Sequence, residues 1–321
     1  MIGQTSVVIP CHNHEAYLGE AIESVYTQTR AVREIIVVDD GSTRPVQPAS
    51  MWEGLPVRII RTENRGASAA RNLGVSLATG AFIAFLDADD AWAPTKIEMQ
   101  EDALESNPDT VAVFTQHTEK QGWSPCPPTN YPPPDASDDE VLVRLWKWNF
   151  IALPSVMVRR ETFLRVGGFN EHLRYSEDWE LWVRLLVAGR FGQVPLPLCY
   201  RRIHSHQMTK NFDQIVVYHR KCRLLLMREH GERIAAAGIS PRQQQRFSQE
   251  EYREHLLILY FRRRFSTARR LLWDYLWQYP GDLKMLKYAL LSLLPRWFFA
   301  AVRDKGAVVQ QLDSAAASRK D

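Results

Sequence analysis

The chain has 321 residues, of which 45% are hydrophobic and 24% charged, as in ordinary folded proteins that bury a full core. Residues 1–200 carry 17 basic and 26 acidic side chains, and residues 201–321 carry 23 and 11, so the two parts are expected to meet different partners. The cysteines form no C-x-x-C pair, which excludes a disulfide framework and favours a reduced, cytoplasmic protein. They are Cys11, Cys126, Cys199 and Cys222.

Neither an export signal nor a spanning helix is expected. The chain enters its first strand at once, with no charged segment before an apolar one. The longest apolar stretch, 285–302, is interrupted by Lys287, Pro295 and Arg296, so it is too broken to cross a bilayer. A helix lying on a membrane surface stays possible.

The first predicted unit is a strand, a helix and a second strand. Residues 6–10 and 34–38 are short apolar runs typical of buried strands, and 15–29 has helical spacing of apolar residues. A crossover between parallel strands is right-handed. The loops after both strands are therefore expected to share one crevice, with Asp39 and Asp40 at the end of the second.

A third strand over 57–60 is followed by a segment of small residues over 64–74. Gly66 comes just before the predicted helix, where free backbone amides can bind phosphate. Arg71 offers a planar charge for the same group. Each feature alone is unremarkable.

The apolar run 82–86 ends in three acids, Asp87, Asp89 and Asp90. Ligands bind at the carboxyl ends of strands in open α/β sheets, and clustered carboxylates need a cation or donors to neutralise them. A hard divalent cation such as Mg²⁺, shared with substrate phosphates, is the simplest neutraliser. The alternative is a solvated acidic turn before a helix that opens at Pro94.

Further elements follow as far as residue 204. Strands are predicted over 111–114 and 155–158, helices over 95–106 and 141–148, and a proline-rich surface loop over 122–137 that would serve as a lid or acceptor wall. Ser176 is a candidate N-cap for a helix whose apolar face includes Trp179 and Trp182. A strand over 198–204 ends in a basic turn with a histidine.

The strands stop near residue 213. Helical patterns run over 216–230, 241–264, 267–279 and 283–294. We therefore expect an α/β domain over 1–212 and a basic helical region over 213–321, disordered near 307–321. Arginines at 262–264 and 269–270 beside the apolar, aromatic stretch 290–299 suit an interfacial membrane helix, while packing on the first domain or a dimer contact is the alternative.

Five ordered motifs within residues 5–210 together resemble the family 2 nucleotide-sugar glycosyltransferases, inverting enzymes of the GT-A (Rossmann-like) fold found in bacterial surface-polysaccharide synthesis. They are V-I-P-C-H-N at 8–13, V-D-D-G-S at 38–42, N-R-G at 64–66 with A-R-N-L-G at 70–74, F-L-D-A-D-D at 85–90, and S-E-D-W at 176–179 with Y-R-R-I-H at 200–204.

The resemblance implies a role for each matching residue. Asp178 corresponds to the general base, supported by Glu177 and Trp179, and Asp89 with His204 corresponds to the metal ligands. His204 and Arg202 would also face the diphosphate, although the doubled Arg201-Arg202 leaves open which arginine does so. The residues implied for the nucleotide sugar are Pro10, Asp39, Asp40, Arg71, Asp87 and Ala88.

The resemblance also implies a Mn²⁺ or Mg²⁺ cofactor, a UDP-linked donor and a saccharide or lipid-linked acceptor. The chemistry agrees, because the diphosphate leaving group must be neutralised and the acceptor hydroxyl deprotonated. A carboxylate at a helix start, as Asp178 would be, stays ionised and can act as that base. Without a second carboxylate nucleophile, single displacement with inversion follows.

Some residues have a plainer interpretation. Trp92, Trp179 and Trp182 are more typical of core than of sugar-stacking surfaces. His12 and His14 are expected to be solvated side chains of the first loop.

Other functions fit less well. A non-catalytic nucleotide-sugar-binding or scaffold protein would not need both Asp89 and Asp178. A nucleotidyltransferase would carry a Gly-rich, Lys-containing loop after the first strand, which 10–13 lacks. No nucleic-acid-binding motif accompanies the basic C-terminal part. The oligomeric state, donor sugar and acceptor are not specified by the sequence.

Overall fold

The computed structural model describes residues 3–49, 52–121, 124–125, 131–204, 211–261, 264–291 and 293. The chain divides into two compact units. The first comprises residues 1–210 with 224–240, and the second comprises 211–223 with 241–321. The predicted tail disorder near 307–321, and much of the basic and aromatic stretch at 262–263 and 294–299, lie outside the described residues.

The first unit is built on a mixed sheet of nine strands among the described residues. Its order is β3-β2-β1-β4-β8-β6-β9-β5, with β7 paired to β6. The strands are β1 (Thr5–Cys11), β2 (Glu34–Asp40), β3 (Val57–Thr62), β4 (Phe82–Phe85), β5 (Ala91–Trp92), β6 (Thr110–Gln121), β7 (Ser124–Pro125), β8 (Val156–Arg159) and β9 (Arg190–Arg202).

Strands β3, β2, β1 and β4 are parallel, as their apolar runs predicted. β1 lies between β2 and β4, with Cys11 opposite Asp39 and Val8 opposite Phe85. Val8 is fully buried because helices cover both faces. The carboxyl ends of β1, β2 and β4 therefore lie at one edge of the sheet, and each is followed by a polar loop.

Six α-helices lie among the described residues up to residue 204. They are α1 (Glu15–Tyr26), α2 (Ala67–Leu77), α3 (Lys96–Glu105), α4 (Asp138–Lys147), α5 (Arg160–Arg165) and α6 (Glu177–Ala188). Leu18 and Ile22 of α1 and Ile97 of α3 pack in one core with the strands. α2 lies so close to β1 that a Cβ on Gly74 would stand 2.4 Å from Val8 Cγ1, which explains the small residues of this segment.

Several elements differ from the sequence prediction. β5 and α5 were not predicted, because two and six residues are too short to show a period. β6 and β9 are longer than expected and pair in parallel with register shifts that interrupt the alternation of side chains. Within the loop predicted over 122–137, residues 124–125 pair with β6, and 122–123 and 126–130 lie outside the described residues.

Within the described residues, the helical C-terminal part has the four helices that were predicted, in the predicted order. Tyr252, Leu272, Tyr275 and Met285 form much of its buried core. Tyr275 also donates a 2.7 Å hydrogen bond to Asp282. In the described part of the chain, no helix is both long and apolar enough to cross a membrane. The helices are α7 (Phe212–Ala236), α8 (Pro241–Phe261), α9 (Phe265–Gln278) and α10 (Leu283–Leu291).

Candidate active site

The two acids that follow strand β2 are held by backbone amides of the neighbouring loops. Asp39 accepts hydrogen bonds from the amides of Ser42 and Val46 at 2.9 and 3.1 Å and from Arg61 Nη1 at 2.6 Å. Burial alone would raise the pKa of Asp39, but these donors outweigh it, so the pKa lies below its usual value. The fully buried Asp39 carboxylate therefore organises the loop after β2.

Asp40 connects strand β2 to the start of α2. One carboxylate oxygen accepts from the Arg65 amide and the other from the Gly66 amide, both at 2.8 Å. Asp40 therefore takes the Gly66 amide, so this one amide of the predicted phosphate-binding helix start is already occupied. Gly66 has φ +96°, a conformation that suits glycine, and this lets its amide turn toward Asp40.

Two further residues implied for the nucleotide sugar can offer only limited contact. Pro10 lies in β1 opposite Val38 and is half-buried. The Ala88 side chain is 2% exposed and packs in the hydrophobic core with Leu86. A donor on the outer side of this loop would therefore meet the backbone at Ala88 and not its methyl group.

Arg71 bridges two acids from distant parts of the chain. Its Nη2 lies 2.7 Å from Asp87 Oδ1 and its Nη1 lies 3.0 Å from Glu177 Oε1. The guanidinium is also 5.4 Å from the centre of the Phe169 ring. Burial lowers the pKa of Arg71, but the charges of Asp87 and Glu177 outweigh this and raise it, so the Arg71 guanidinium stays charged. Arg71 thus fixes the acidic end of β4 against the start of α6.

A neighbouring residue on α2 holds the segment that leads to α6. Asn72 donates to the Phe169 carbonyl at 2.9 Å and accepts from the Phe169 amide at 2.9 Å. The buried Trp179 and Trp182 anchor α6 itself, donating to the carbonyls of Leu145 at 2.6 Å and Ile151 at 3.3 Å. The core interpretation of both tryptophans is confirmed. The Trp179 ring is fully buried, and the contact of this residue with Asp178 is made by its backbone amide.

The helix that carries the predicted base begins at the predicted position, but without the expected side-chain cap. Ser176 is the N-cap residue of α6, yet it has left-handed φ and ψ of 60° and 19°, and its side chain makes no capping hydrogen bond. Asp178 instead accepts from the Trp179 amide at 2.7 Å. A residue with left-handed φ and ψ turns the chain sharply at the start of α6. This conformation is strained for a residue other than glycine, and it persists only where the surrounding packing determines it. The turn places Glu177 against Arg71.

Glu177 and Asp178 are adjacent acids whose pKa values are both raised. Burial is the main cause for each, and for Glu177 the Asp178 charge adds to it while Arg71 opposes it. After burial, the Trp179 amide and the Arg71 charge are the largest opposing influences on the pKa of Asp178, and the nearby Asn149 side chain also favours its charged form. Asn149 was missed in the sequence because no motif surrounds it.

The two residues predicted to bind a metal, Asp89 and His204, lie together with His14. His204 Nε2 is 2.8 Å from Asp89 Oδ2, and His14 Nδ1 is 3.8 Å from the same oxygen. The three ligand atoms all lie within 4.8 Å of one another. Two imidazoles and a carboxylate are a donor set that suits divalent metals. The expectation that His14 is merely a solvated loop residue is therefore wrong.

Strand β5 brings Asp89 and His204 together. Ala91 pairs with Tyr200, and the Arg202 amide donates to Asp90 Oδ1 at 2.9 Å. Burial, followed by the charges of Asp87 and Asp89, raises the pKa of Asp90 well above its usual value.

The two adjacent arginines of β9 have different surroundings. Arg202 donates to the Asp89 carbonyl at 3.0 Å, pairs with Glu20 and lies over the Tyr17 ring. Both arginines, with Asp89 and His204, line a cleft of about 520 Å³ beside α1.

Arg201 is directed toward acids instead. Its Nη1 lies 3.0 Å from Glu119 Oε1. Burial lowers the Arg201 pKa, but Asp90 and Glu119, with a smaller contribution from Asp87, outweigh burial and raise it. The guanidinium of Arg202 is thus engaged toward α1, whereas Arg201 carries its charge toward the acids after β4.

Comparison with known proteins agrees with this architecture. The family model described as "Glycosyl transferase family 2" matches residues 6–167, just over half of the chain. An uncharacterized glycosyltransferase of Haemophilus influenzae is 29% identical over 221 residues, covering 65% of this chain and 71% of the relative. One from Rickettsia felis is 32% identical over 205 residues, covering 62% of this chain, which spans only 33% of that longer relative.

Two solved structures share the fold at low sequence identity. S. aureus TarS 1–349 in complex with UDP-GlcNAc has a TM-score of 0.63 and 16% identity, covering 85% of this chain and 80% of that one. The mannosyltransferase PcManGT from Pyrobaculum calidifontis, in complex with GDP-Man and Mn²⁺, has a TM-score of 0.57 and 18% identity, covering 99% and 80%. The predicted GT-A fold with a helical C-terminal region is confirmed.

The Arg71 bridge gives a testable prediction for stability. Arg71→Met should lower the free energy of unfolding by about 3 kcal/mol, because it removes a buried cation and leaves two partly buried carboxylates without their partner. When an acid has a higher pKa in the folded state than in the unfolded state, the folded protein loses stability as pH rises. Without Arg71 the pKa of Glu177 rises further, so the loss should be larger at pH 8 than at pH 5 in urea unfolding.

Arg65 provides the matched control. It pairs with Glu171 at 3.0 Å, but its side chain is 65% exposed. Arg65→Met should therefore change stability by less than about 1 kcal/mol at either pH. Equal losses in the free energy of unfolding for Arg71→Met and Arg65→Met would contradict a stabilising role for the Arg71 bridge. A loss for Arg71→Met that does not depend on pH would contradict it as well.

Proposed function

Because the chain belongs to glycosyl transferase family 2, we propose that this glycosyltransferase moves a sugar from a nucleoside-diphosphate donor to an acceptor hydroxyl with inversion, by metal-assisted single displacement. The observation that carries the proposal is the Arg71 bridge. It holds the pair Glu177–Asp178 against Asp87, so that the proposed base stands beside the acids proposed to face the donor.

The proposed donor is a nucleotide sugar, with UDP as the nucleotide. The TarS complex contains UDP-GlcNAc and the PcManGT complex contains GDP-Man, which supports this class of ligand. We propose that Pro10, Asp40, Arg71, Asp87 and the Ala88 backbone line the donor site. Each Asp40 carboxylate oxygen accepts one hydrogen bond from a backbone amide and keeps a second lone pair for the base of the nucleotide.

Asp39 is proposed to act indirectly. Its carboxylate is fully buried and engaged by the loop after β2. It would shape the pocket for the nucleotide base by fixing that loop, without contacting the nucleotide itself.

A divalent cation, Mn²⁺ or Mg²⁺, is proposed to be held by Asp89 and His204. When bound, it would neutralise the diphosphate leaving group as a Lewis acid. The spacing of 2.8 Å between the His204 nitrogen and the Asp89 oxygen suits two ligands of one ion. The PcManGT complex with Mn²⁺ supports a cation in this fold.

Of the two arginines, we propose Arg201 in place of Arg202 as the diphosphate clamp. The Arg202 guanidinium is engaged by Glu20 and the Asp89 carbonyl on the side of α1. Arg201 lies among the charges of Asp90, Glu119 and Asp87, where a bound diphosphate would also be neutralised.

Asp178 is proposed to take the proton from the acceptor hydroxyl as it attacks. The raised pKa of Asp178, caused by burial, makes it a stronger base than an exposed carboxylate. The Asn149 side chain and the Trp179 amide hold its carboxylate in place. Glu177 is occupied by Arg71 and is proposed to orient the site.

The acceptor is proposed to be a saccharide or a lipid-linked saccharide presented at the inner face of the cell membrane. The second unit offers a surface for such a location. Trp277 is 89% exposed and Trp273 is 44% exposed, one turn apart on α9 and beside the exposed Arg270. Exposed tryptophan next to a basic residue suits the interface of an anionic membrane. α10 adds exposed Leu283 and Lys287.

A non-catalytic nucleotide-sugar-binding protein of the same fold is the alternative. It would bind a donor but would not need a half-buried base with a raised pKa. Asp178→Asn separates the two, because it preserves shape and removes the base. Hydrolysis or transfer from a panel of UDP- and GDP-sugars should fall by about 10²-fold or more, with donor affinity retained.

The control for this variant is Asp102→Asn. The Asp102 side chain is 60% exposed on α3 and pairs with Arg30, so turnover should stay near that of the unchanged protein. Nearly unchanged turnover in Asp178→Asn would show that the base lies elsewhere. An unchanged protein that binds but never turns over any donor would favour the alternative.

The membrane proposal predicts binding to vesicles that contain anionic lipid. Full-length protein should co-sediment with phosphatidylglycerol vesicles at low salt and less at high salt, since each basic residue contributes about 1 kcal/mol. The variant Trp273→Ser, Trp277→Ser, Arg270→Glu should stay in the supernatant. The matched control Trp148→Ser removes a tryptophan that is 63% exposed in the first unit and should still sediment. Equal sedimentation of all three proteins, or none at low salt, would contradict membrane attachment through α9.

A further inference from the structure

We propose that His14 is a third protein ligand of the cation and that it biases the site toward first-row transition metals over Mg²⁺. This inference rests on the proposed metal site of Asp89 and His204. The observation behind it is the cluster of His14 Nδ1, Asp89 Oδ2 and His204 Nε2, all within 4.8 Å of one another.

The first loop directs this histidine toward the cluster. His14 immediately precedes α1, and its ring meets the His204 ring edge to face at 5.6 Å between centres. Tyr17, one turn further along, packs against both rings at 6.2 and 5.3 Å. This aromatic packing fixes both imidazoles beside the Asp89 carboxylate.

His12, in the same loop, has different contacts from His14 and does not belong to the cluster. His12 Nδ1 is hydrogen-bonded to the Asp40 carbonyl at 2.9 Å. Its ring also lies within 3.4 Å of the Asn64 amide nitrogen. His12 is thus tied to the loops after β2 and β3. It serves as a matched control for the loss of an imidazole from this loop.

The distances allow a common ion after small side-chain rotations. Two ligands that bind one ion at ~2.1 Å each are at most ~4.2 Å apart. His204 and Asp89 already meet this limit at 2.8 Å, and His14 and Asp89 meet it at 3.8 Å. Two histidines and one carboxylate leave coordination positions open for diphosphate oxygens and water.

The donor set determines the metal preference. Mg²⁺ takes oxygen ligands and is reluctant to lose its water, whereas imidazole nitrogen suits transition metals, whose affinity rises from Mn²⁺ to Co²⁺. A second imidazole should therefore strengthen the binding of Mn²⁺ and Co²⁺ much more than that of Mg²⁺. The first loop would then set which metal the enzyme uses.

The test measures metal binding directly and not turnover. Binding of Mn²⁺, Co²⁺ and Mg²⁺ to full-length protein is measured by calorimetry with UDP present, for the unchanged protein, His14→Gln and His12→Gln. Pulsed electron paramagnetic resonance of bound Mn²⁺ counts the coordinated imidazole nitrogens. His14→Gln should weaken Mn²⁺ and Co²⁺ binding by about 10-fold or more, with a smaller change for Mg²⁺. His12→Gln should leave all three affinities near those of the unchanged protein.

The spectra separate this inference from the metal site on which it rests. The inference predicts two imidazole nitrogens on Mn²⁺ in the unchanged protein, one in His14→Gln and one in His204→Gln. A single nitrogen that disappears only in His204→Gln would overturn the role of His14 and leave the Asp89–His204 site standing. Mn²⁺ with no imidazole nitrogen, or no Mn²⁺ binding at all, would overturn both.

Discussion

Repulsion between carboxylates is the constraint on which the proposed site depends. Asp87, Asp89 and Asp90 follow one strand, and Glu177 and Asp178 begin a helix that Arg71 ties to them. This arrangement disfavours the charged forms of the acids. The pKa values of Asp90, Glu177 and Asp178 are raised, with burial as the largest cause, and neighbouring carboxylates add to it for Asp90 and Glu177. An acidic cluster of this kind is stable only with cations among the acids.

The protein's own cations provide part of that compensation. Arg71 lies between Asp87 and Glu177, Arg201 faces Asp90, and His204 contacts Asp89. Each comes from a different element, so the acids also hold α2, β9 and the turn after β9 together. A divalent cation, as proposed, would complete the compensation when the doubly charged donor arrives. The same charges would then serve both folding and leaving-group stabilisation.

The rigid supports of the site come from the sheet and its close-packed helices. Gly74 allows α2 to approach β1, which brings Arg71 and Asn72 to the edge of the sheet. The short pairing of β5 with β9 aligns Asp89 with His204. A site built on such elements keeps its geometry better than one carried by loops alone.

Much of this could be predicted from sequence because the signals are local. The apolar runs before Asp39 and Asp87 indicated parallel strands, and parallel strands bring the acids that follow them to one edge. The features that were missed depend on contacts between distant residues. The pairing of Arg71 with Glu177 spans 106 residues, and His14 meets Asp89 only because α1 packs beside β5.

Local rules also failed where tertiary contacts replaced them. Ser176 has a good N-cap side chain, yet the packing of Trp179 and Trp182 and the Asn72 contact with Phe169 fix a left-handed turn there. Gly66 has a helix-start amide, yet Asp40 accepts its hydrogen bond. No periodicity in the sequence carries such information.

The proposed mechanism depends most on Asp89, which would bind the cation that in turn binds the donor diphosphate. The most direct measurement is calorimetry of UDP binding with and without Mn²⁺ for the unchanged protein and Asp89→Ala, with the exposed Asp102→Ala as control. The account predicts that Mn²⁺ strengthens UDP binding in the unchanged protein and in Asp102→Ala, and that Asp89→Ala abolishes this metal dependence. Metal-dependent UDP affinity that persists unchanged in Asp89→Ala would contradict it.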